Sequence, residues 1–396
     1  MPHQTTGTSR RTILRTTGTG LLAVAVAGTA GMSYRAYDNR ILGADTGDAF
    51  DPWRNWRDDP GPAGAVAAAI LAASPHNTQP WRFQITPEHI DLYADPTRRL
   101  GSTDPYRREM HIGLGCALEN LVLAAQARGY RTTVALLPDP TVPDLIARID
   151  LATGPKVPSA RHDAIGDRHS NRGPYQDKPV AATALTELAA LADDPAATIA
   201  WITTGQDLRS LGALMVEAAR AVTADDTMSR DGFVWFRPDA DAIAEHRDGL
   251  TLDGQGLSPL ITSVAKLMPA SSRESGDEFW VTQTRDVHTA TAAAYGLLLA
   301  ADPREQAQQI TGGRLLQRIH LAATTRGLAL QHMNQITERI DRDSALGRDP
   351  TFGPRLQALV AAAGRPGRQV LSAFRIGHPV RGGRRTPRRP VADVTR

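Results

Sequence analysis

Apolar and polar positions along the chain follow two periods, and the switches between them mark out its elements. Residues 63–73 form a near-continuous apolar run of helical length. Pro75 and Pro80 follow it, and neither can continue a helix, because proline lacks an amide donor and clashes with the preceding turn. A helix therefore stops here. A short polar loop, Ser74-Pro75-His76-Asn77-Thr78-Gln79-Pro80, leads into Trp81-Arg82-Phe83-Gln84-Ile85, which alternates as a half-buried strand does. Residues 90–94 read as a second strand. After Asp104, Ile112, Leu114, Ala117, Leu118, Leu121, Val122 and Ala125 recur at helical spacing and predict a long helix with a broad apolar face. Arg128-Gly129 closes it, glycine suiting the left-handed position after a helix. Strands are predicted at 132–137 and 145–151. Residues 45–157 thus read as an α+β unit around a central buried helix.

The pattern then repeats. Residues 118–129 line up with 316–327 at a constant offset of 198, with six of twelve positions identical. Each stretch is followed by a strand-like run and by a related ending, Ala147-Arg148-Ile149-Asp150 in one half and Ala373-Phe374-Arg375-Ile376-Gly377 in the other. Duplication of one unit explains this, with 158–396 as the second half. Such a pair imitates a symmetric homodimer within one polypeptide, so a monomer is expected. Residues 228–284 have no counterpart in the first half and carry Phe233-Val234-Trp235-Phe236 and Trp280. So apolar a stretch either closes over a site as a lid or packs into the core.

Composition narrows the classes. With 396 residues, 41% of them hydrophobic, the chain can fill two cores. Forty-five Lys and Arg face 42 Asp and Glu, and the small excess of +3 sits mostly at the ends. The basic C-terminal stretch lacks interleaved aromatics, so no nucleic-acid partner is expected. The single cysteine, Cys116, excludes an intramolecular disulfide and a cysteine metal cluster, and its Ala/Leu-rich setting reads as a buried structural thiol. At the N-terminus, Ser9-Arg10-Arg11-Thr12-Ile13-Leu14-Arg15 precedes a mildly apolar stretch, 18–31, as in a twin-arginine export signal. That pathway moves folded proteins, so the expectation is export with any cofactor already loaded. Cleavage is expected near Ala27 or Ala30, the alternative being retention as an uncleaved anchor. Residues 1–44 are set apart as signal and linker.

Several chemistries drop out. Gly113-Leu114-Gly115 lacks the third glycine of a dinucleotide loop and sits inside a helical pattern. Ser263-Val264-Ala265-Lys266 has no companion motif, and no metal-binding pattern is present. Two stretches carry more. The amides of Asn77 and Gln79 offer donors and acceptors suited to the edge of a planar heterocycle, although a Pro-bounded loop can equally be a plain connection. In Arg168-His169-Ser170-Asn171-Arg172, alternate positions carry guanidinium, hydroxyl and guanidinium. In an extended segment these face one way, as a phosphate or carboxylate clamp, unless the segment is simply an arginine-rich surface.

The ordered string at 74–81 resembles the S-x-x-N-x-Q-P-W loop of FMN-dependent nitroreductases, and 168–172 resembles their R-x-S-x-[RK] element. Asp91-Leu92-Tyr93-Ala94-Asp95, the Asp104-Pro105 helix start and Arg247-Asp248-Gly249-Leu250 resemble the Acg-type branch, in which two such halves share a chain. The resemblance spans residues 60–392. It implies a duplicated nitroreductase-like fold and, because each half carries only one signature element, a single complete FMN site between the halves. Ser74, Pro75, His76, Asn77 and Gln79 would approach the ring from the first half. Arg168 and Ser170 would hold the phosphate and ribityl end, with Arg388 or Arg389 closing on the phosphate. Arg172 would lie at the N1/O2 edge, where a cation stabilises anionic reduced flavin. Gln331, His332, Met333 and Asn334 would lie near the isoalloxazine. The activity implied is two-electron hydride transfer from NAD(P)H or another donor to a nitroaromatic, a quinone or an unknown acceptor, with no catalytic amino-acid base and no metal. The alternative is a protein that stores FMN with little turnover.

Overall fold

The computed structural model describes residues 43, 45–203 and 205–396. The expected export signal, with Arg10 and Arg11, lies outside the described residues. The first half forms a four-stranded antiparallel sheet from β1 (Trp81–Ile85), β2 (His89–Ala94), β3 (Tyr130–Leu136) and β4 (Leu145–Thr153), in the order β1-β2-β4-β3. Trp81 and Phe83 of β1 are wholly buried, while Arg82 between them reaches out to Asp95 at 2.9 Å. Asp91 and Arg148 sit opposite each other on β2 and β4 and join in two bonds of 2.7 Å. Helix α1 (Gly61–Ala69) feeds the Ser74 loop, and α2 (Arg108–Ala127) connects β2 to β3.

Helix α2 is buried along nearly its whole length. It begins at Arg108, not at Asp104. Residues 101–103 form a 3-10 turn and Arg107 takes φ 57°, while the Asp104 carboxylate stands outside as a cap, accepting from the amides of Glu109 and Met110 at 3.2 and 3.0 Å.

The second sheet contains β5 (Thr198–Ile202), β8 (Ala294–Ala300), β9 (Ala329–His332) and β10 (Gln369–Gly377), ordered β5-β8-β10-β9 and again antiparallel. Counted within its own half, each sheet has the order 1-2-4-3. Where a short hairpin joins β1 to β2, β5 and β8 are separated by α3 (Gly205–Ala224), α4 (Asp226–Phe233), the parallel pair β6 (Phe236–Arg237) and β7 (Leu250–Thr251), α5 (Pro259–Leu267), α6 (Arg273–Gln283) and a π-helical turn at Thr284–Thr289. Helix α7 (Gln306–Thr324) then crosses α2, and α8 (Gln335–Ala345) follows β9.

One hydrophobic core runs through both halves around the α2/α7 crossing, and a second lies on the far face of the second sheet, under α3. The last residues return to the first half. Arg388 donates its amide to the Ala49 carbonyl at 2.7 Å, and Arg396 donates to Phe83 at 2.9 Å beside the edge of β1. Among the described residues, no helix is long and apolar enough to cross a membrane.

Candidate functional site

The Ser74 loop is strained. His76, Asn77 and Gln79 all take positive φ, at 46°, 56° and 51°, a region that costs a non-glycine residue roughly 1–3 kcal/mol. Something must hold them there. The Ser74 hydroxyl accepts from the Gln79 amide at 3.0 Å. Asn77 Nδ2 donates to the carbonyls of Gly249 and Pro387 at 3.2 and 2.9 Å, and Gln79 Nε2 donates to Arg247 at 2.9 Å while its Oε1 accepts from the Arg389 amide at 2.9 Å. The two amides therefore tie the loop to residues 247–249 and to the C-terminal strap. Neither lines the cavity described below. Ser74, Pro75 and His76 do.

The arginine segment is extended alongside β9, with a parallel bridge between Ser170 and Leu330 and a bond from the Asn171 amide to the Leu330 carbonyl at 3.0 Å. Ser170 and Arg172 reach the cavity. Arg168 lies behind its wall and donates through Nη2 to the Leu71 carbonyl at 3.0 Å. Arg388 donates to the same carbonyl at 3.4 Å and to Ala72 at 3.2 Å, and its guanidinium lies 4.7 Å from the Trp53 ring. Both cations thus gather at the C-terminal end of α1, where carbonyls point outward. Arg389 is different: it is partly exposed and its side chain turns to the Asp393 carbonyl at 2.7 Å.

These elements enclose a cavity of about 280 Å³ between the halves. One side is the Ser74 loop and the start of α2, and the other is Ser170, Arg172 and the run from Gln331 to Asn334. Residues from 228–284 close it, notably Phe233, Phe236, Phe279 and Trp280. Helix α4 passes so near the loop that a Cβ on Gly232 would lie 3.6 Å from His76 Nε2. Trp235, in the stretch expected either to cover the site or to pack into the core, turns to the guanidiniums of Arg98 and Arg237, at 5.4 and 5.7 Å.

The electrostatics are one-sided. Arg168 and Arg172 are pushed down to about 10 by burial, and burial with the neighbouring Arg168 also lowers Arg388. Among the described residues, no carboxylate offsets any of the three. Arg168 Nε and Nη1 and Arg388 Nε are buried without a partner, as is Nε2 of His332 at the cavity wall. Burial and the same arginines hold His76 at about 4 and His332 at about 3, so both are neutral near pH 7. Buried donors without an acceptor cost about 1–3 kcal/mol each, more when charged. Of these groups His332 lines the cavity, whereas Arg168 and Arg388 lie behind its wall.

Three contributors are not visible in the sequence. Arg375, wholly buried on β10, donates to Gln331 Oε1 at 2.7 Å and to the Gly173 carbonyl at 2.6 Å, fixing both sides of the site at once. Glu109 and Glu338 also line the cavity. Glu109 is adjacent to the predicted helix start, but Glu338 lies in a charged helix whose composition suggests a solvent-facing element. Cys116 is buried, its thiol pushed up to about 12, and it donates to the Gly313 carbonyl at 3.2 Å, although it also touches the cavity.

No family model matches the chain. A Mycobacterium tuberculosis protein named "Putative NAD(P)H nitroreductase" is 29% identical over 174 residues, 43% of this chain and 49% of that protein. Another from the same organism, "Putative NAD(P)H nitroreductase acg", is 35% identical over 118 residues, covering 29% of this chain and 36% of its own. The chain is similar to nitroreductases. It spans about half the length of the first relative. A third protein of that organism, named only as uncharacterized, is 25% identical over 346 residues, 83% of this chain and 91% of that protein. Among solved structures, a nitroreductase with bound FMN from Desulfitobacterium hafniense covers 60% of this chain and 97% of its own, at 15% identity and a TM-score of 0.36. An FMN-dependent nitroreductase from Mycobacterium smegmatis in complex with NADPH gives the same coverage and TM-score at 16% identity.

Proposed function

We propose that the chain binds one FMN in the cavity between its halves and acts as an oxidoreductase, moving two electrons from NAD(P)H or another donor to a nitroaromatic, a quinone or another small acceptor. The observation that carries this reading is the pair of buried guanidiniums of Arg168 and Arg388, with unpartnered donors, near Arg172 at the cavity, and no carboxylate offsetting them among the described residues. Desolvating a cation costs several kcal/mol, which an anionic ligand offsets. Arg168 and Arg388 would hold the phosphate, with Ser170 beside them. Arg172 would place positive charge at the ring, and the wall from Gln331 to Asn334 would face the ring opposite His76. When bound, FMN supplies the hydride chemistry. The protein orients it and excludes water beneath residues 228–284.

This reading takes the halves as one duplicated unit, an internal pseudo-dimer that is monomeric in solution. The matching strand orders and the shared core support it. Export through the twin-arginine machinery is part of the proposal and rests on Arg10 and Arg11, whose replacement by lysine should retain the protein in the cytoplasm.

An absorbance spectrum of the purified protein, followed by anaerobic NADPH and NADH, tests the function. Flavin near one per chain that bleaches quickly supports turnover. A colourless protein that takes up no FMN sinks the reading. A second reading, flavin storage, is favoured by the tie that Asp248 of the covering segment makes to Arg98 of the first half. Bound flavin reduced by dithionite and by neither nicotinamide would select it.

A further inference from the structure

Glu109 opens α2 in the first half, and Glu338 lies near the start of α8 in the second. They meet at the cavity wall, only 5% and 7% exposed, close enough for each carboxyl to act on the other. Two buried carboxyls this close repel strongly if both are ionised, which favours a proton held on one of them. The surroundings keep it there. Asp104 faces the pair from the turn before α2 and Asp341 from α8. The one cation among these neighbours, Arg108, is engaged by Asp341 at 2.8 Å. Burial, more than any neighbour, raises both carboxyls, Glu338 to about 7 and Glu109 well above its ordinary value. Across the cavity, Asp277 is bound to the Ser229 hydroxyl. Two further polar atoms at the cavity wall, Glu109 Oε1 and Thr284 Oγ1, are buried and have no partner.

We propose that Glu109 and Glu338 hold one shared proton at the cavity wall and donate it to the oxygen of the acceptor reduced there. This rests on the oxidoreductase reading above and adds acid catalysis by the protein to it. For a quinone the step balances as follows. A hydride, carrying both electrons, comes from the reduced cofactor, and the proton leaves a glutamate O–H as a new O–H forms on the acceptor, giving the hydroquinone. The pair is left as two carboxylates beside Arg108 and regains its proton from solvent. A nicotinamide donor supplies hydride without this proton, so the pair fills a stoichiometric need.

Two arms test the proposal. In the protein without flavin, infrared titration should show a carboxylic acid that persists towards pH 7, is altered in Glu338→Gln or Glu109→Gln and is lost when both are replaced; a wild-type protein without that band overturns the proposal. In the flavin-loaded protein, Glu338→Gln and Glu109→Gln should slow reoxidation by a quinone on the order of 100-fold and remove the fall in rate on passing pH 7. Bleaching by the donor, which takes no proton from the pair, should be slowed far less than reoxidation. Reoxidation at the wild-type rate with the same pH profile overturns it. If the wild type binds no flavin, the oxidoreductase reading fails and proton donation fails with it, while the infrared arm separately reports whether a proton is held.

Discussion

Gly115 and Gly313 stand where α2 and α7 cross: a Cβ on Gly115 would lie 2.2 Å from the Ile310 carbonyl oxygen, and one on Gly313 would lie 2.1 Å from that of Ile112. The two contacts are reciprocal, and both glycine and isoleucine pairs are related by the offset of 198. Since the obstructing atoms are backbone, neither helix can yield locally. Gly115→Ala and Gly313→Ala should each destabilise the protein by about 1–3 kcal/mol or more, measured by denaturant unfolding. The glycines that superficially suggest a nucleotide loop are there for helix packing.

Arg168→Met should weaken FMN and leave riboflavin, which lacks the phosphate, nearly untouched. A charge-assisted hydrogen bond contributes about 1.5–3 kcal/mol, or roughly 10- to 150-fold in affinity. The same change should stabilise the flavin-free protein, because it removes a buried cation with no counter-ion. Calorimetric titration with both flavins and a melt of the apoprotein check the two signs. A loss of riboflavin binding equal to that of FMN would contradict the assigned role.

Asp248 is buried and bridges Arg98 of the first half and Arg237 of the covering segment. Asp248→Ala leaves both guanidiniums without it, at a cost of about 3–5 kcal/mol. Hydrogen exchange should accelerate through 228–284 while β1 to β4 stay protected. Trp235→Ala should alter bound-flavin fluorescence little, because Trp235 faces those arginines, whereas Trp280→Ala, at the cavity wall, should alter it strongly.

Two sets of groups set the pH dependence of stability, with opposite signs. His76 and His332 stay neutral in the fold down to about 4 and 3, but the unfolded chain takes up those protons near 6.5. Stability from them is lost as pH falls below 6.5. Glu338 keeps its proton up to about 7, while an unfolded glutamate releases it near 4.5, so its contribution falls as pH rises between those values. Glu338→Gln should therefore steepen the rise of stability with pH between 4.5 and 6.5, and His76→Gln should flatten it. Urea unfolding across that range reads both differences.

Several elements were legible from the sequence. β1 falls on the predicted 81–85, Gly129 ends the turn after α2 with φ 91°, and the 198-residue offset by itself locates the second long helix. The loop and arginine motifs located the cavity too, because local chemistry sets where a helix must stop and where guanidiniums alternate. What the sequence could not decide is which side chains face inward. Asn77 and Gln79 turn to the strap and the covering segment because the strained loop consumes their amides. Arg388, within the basic C-terminal run, is buried because the strap crosses to Trp53. Glu109 and Glu338, 229 positions apart, meet only because α2 and α8 converge on one wall. Periodicity reports one element's face; burial and pairing depend on which elements meet, and that is decided only when the halves close on each other.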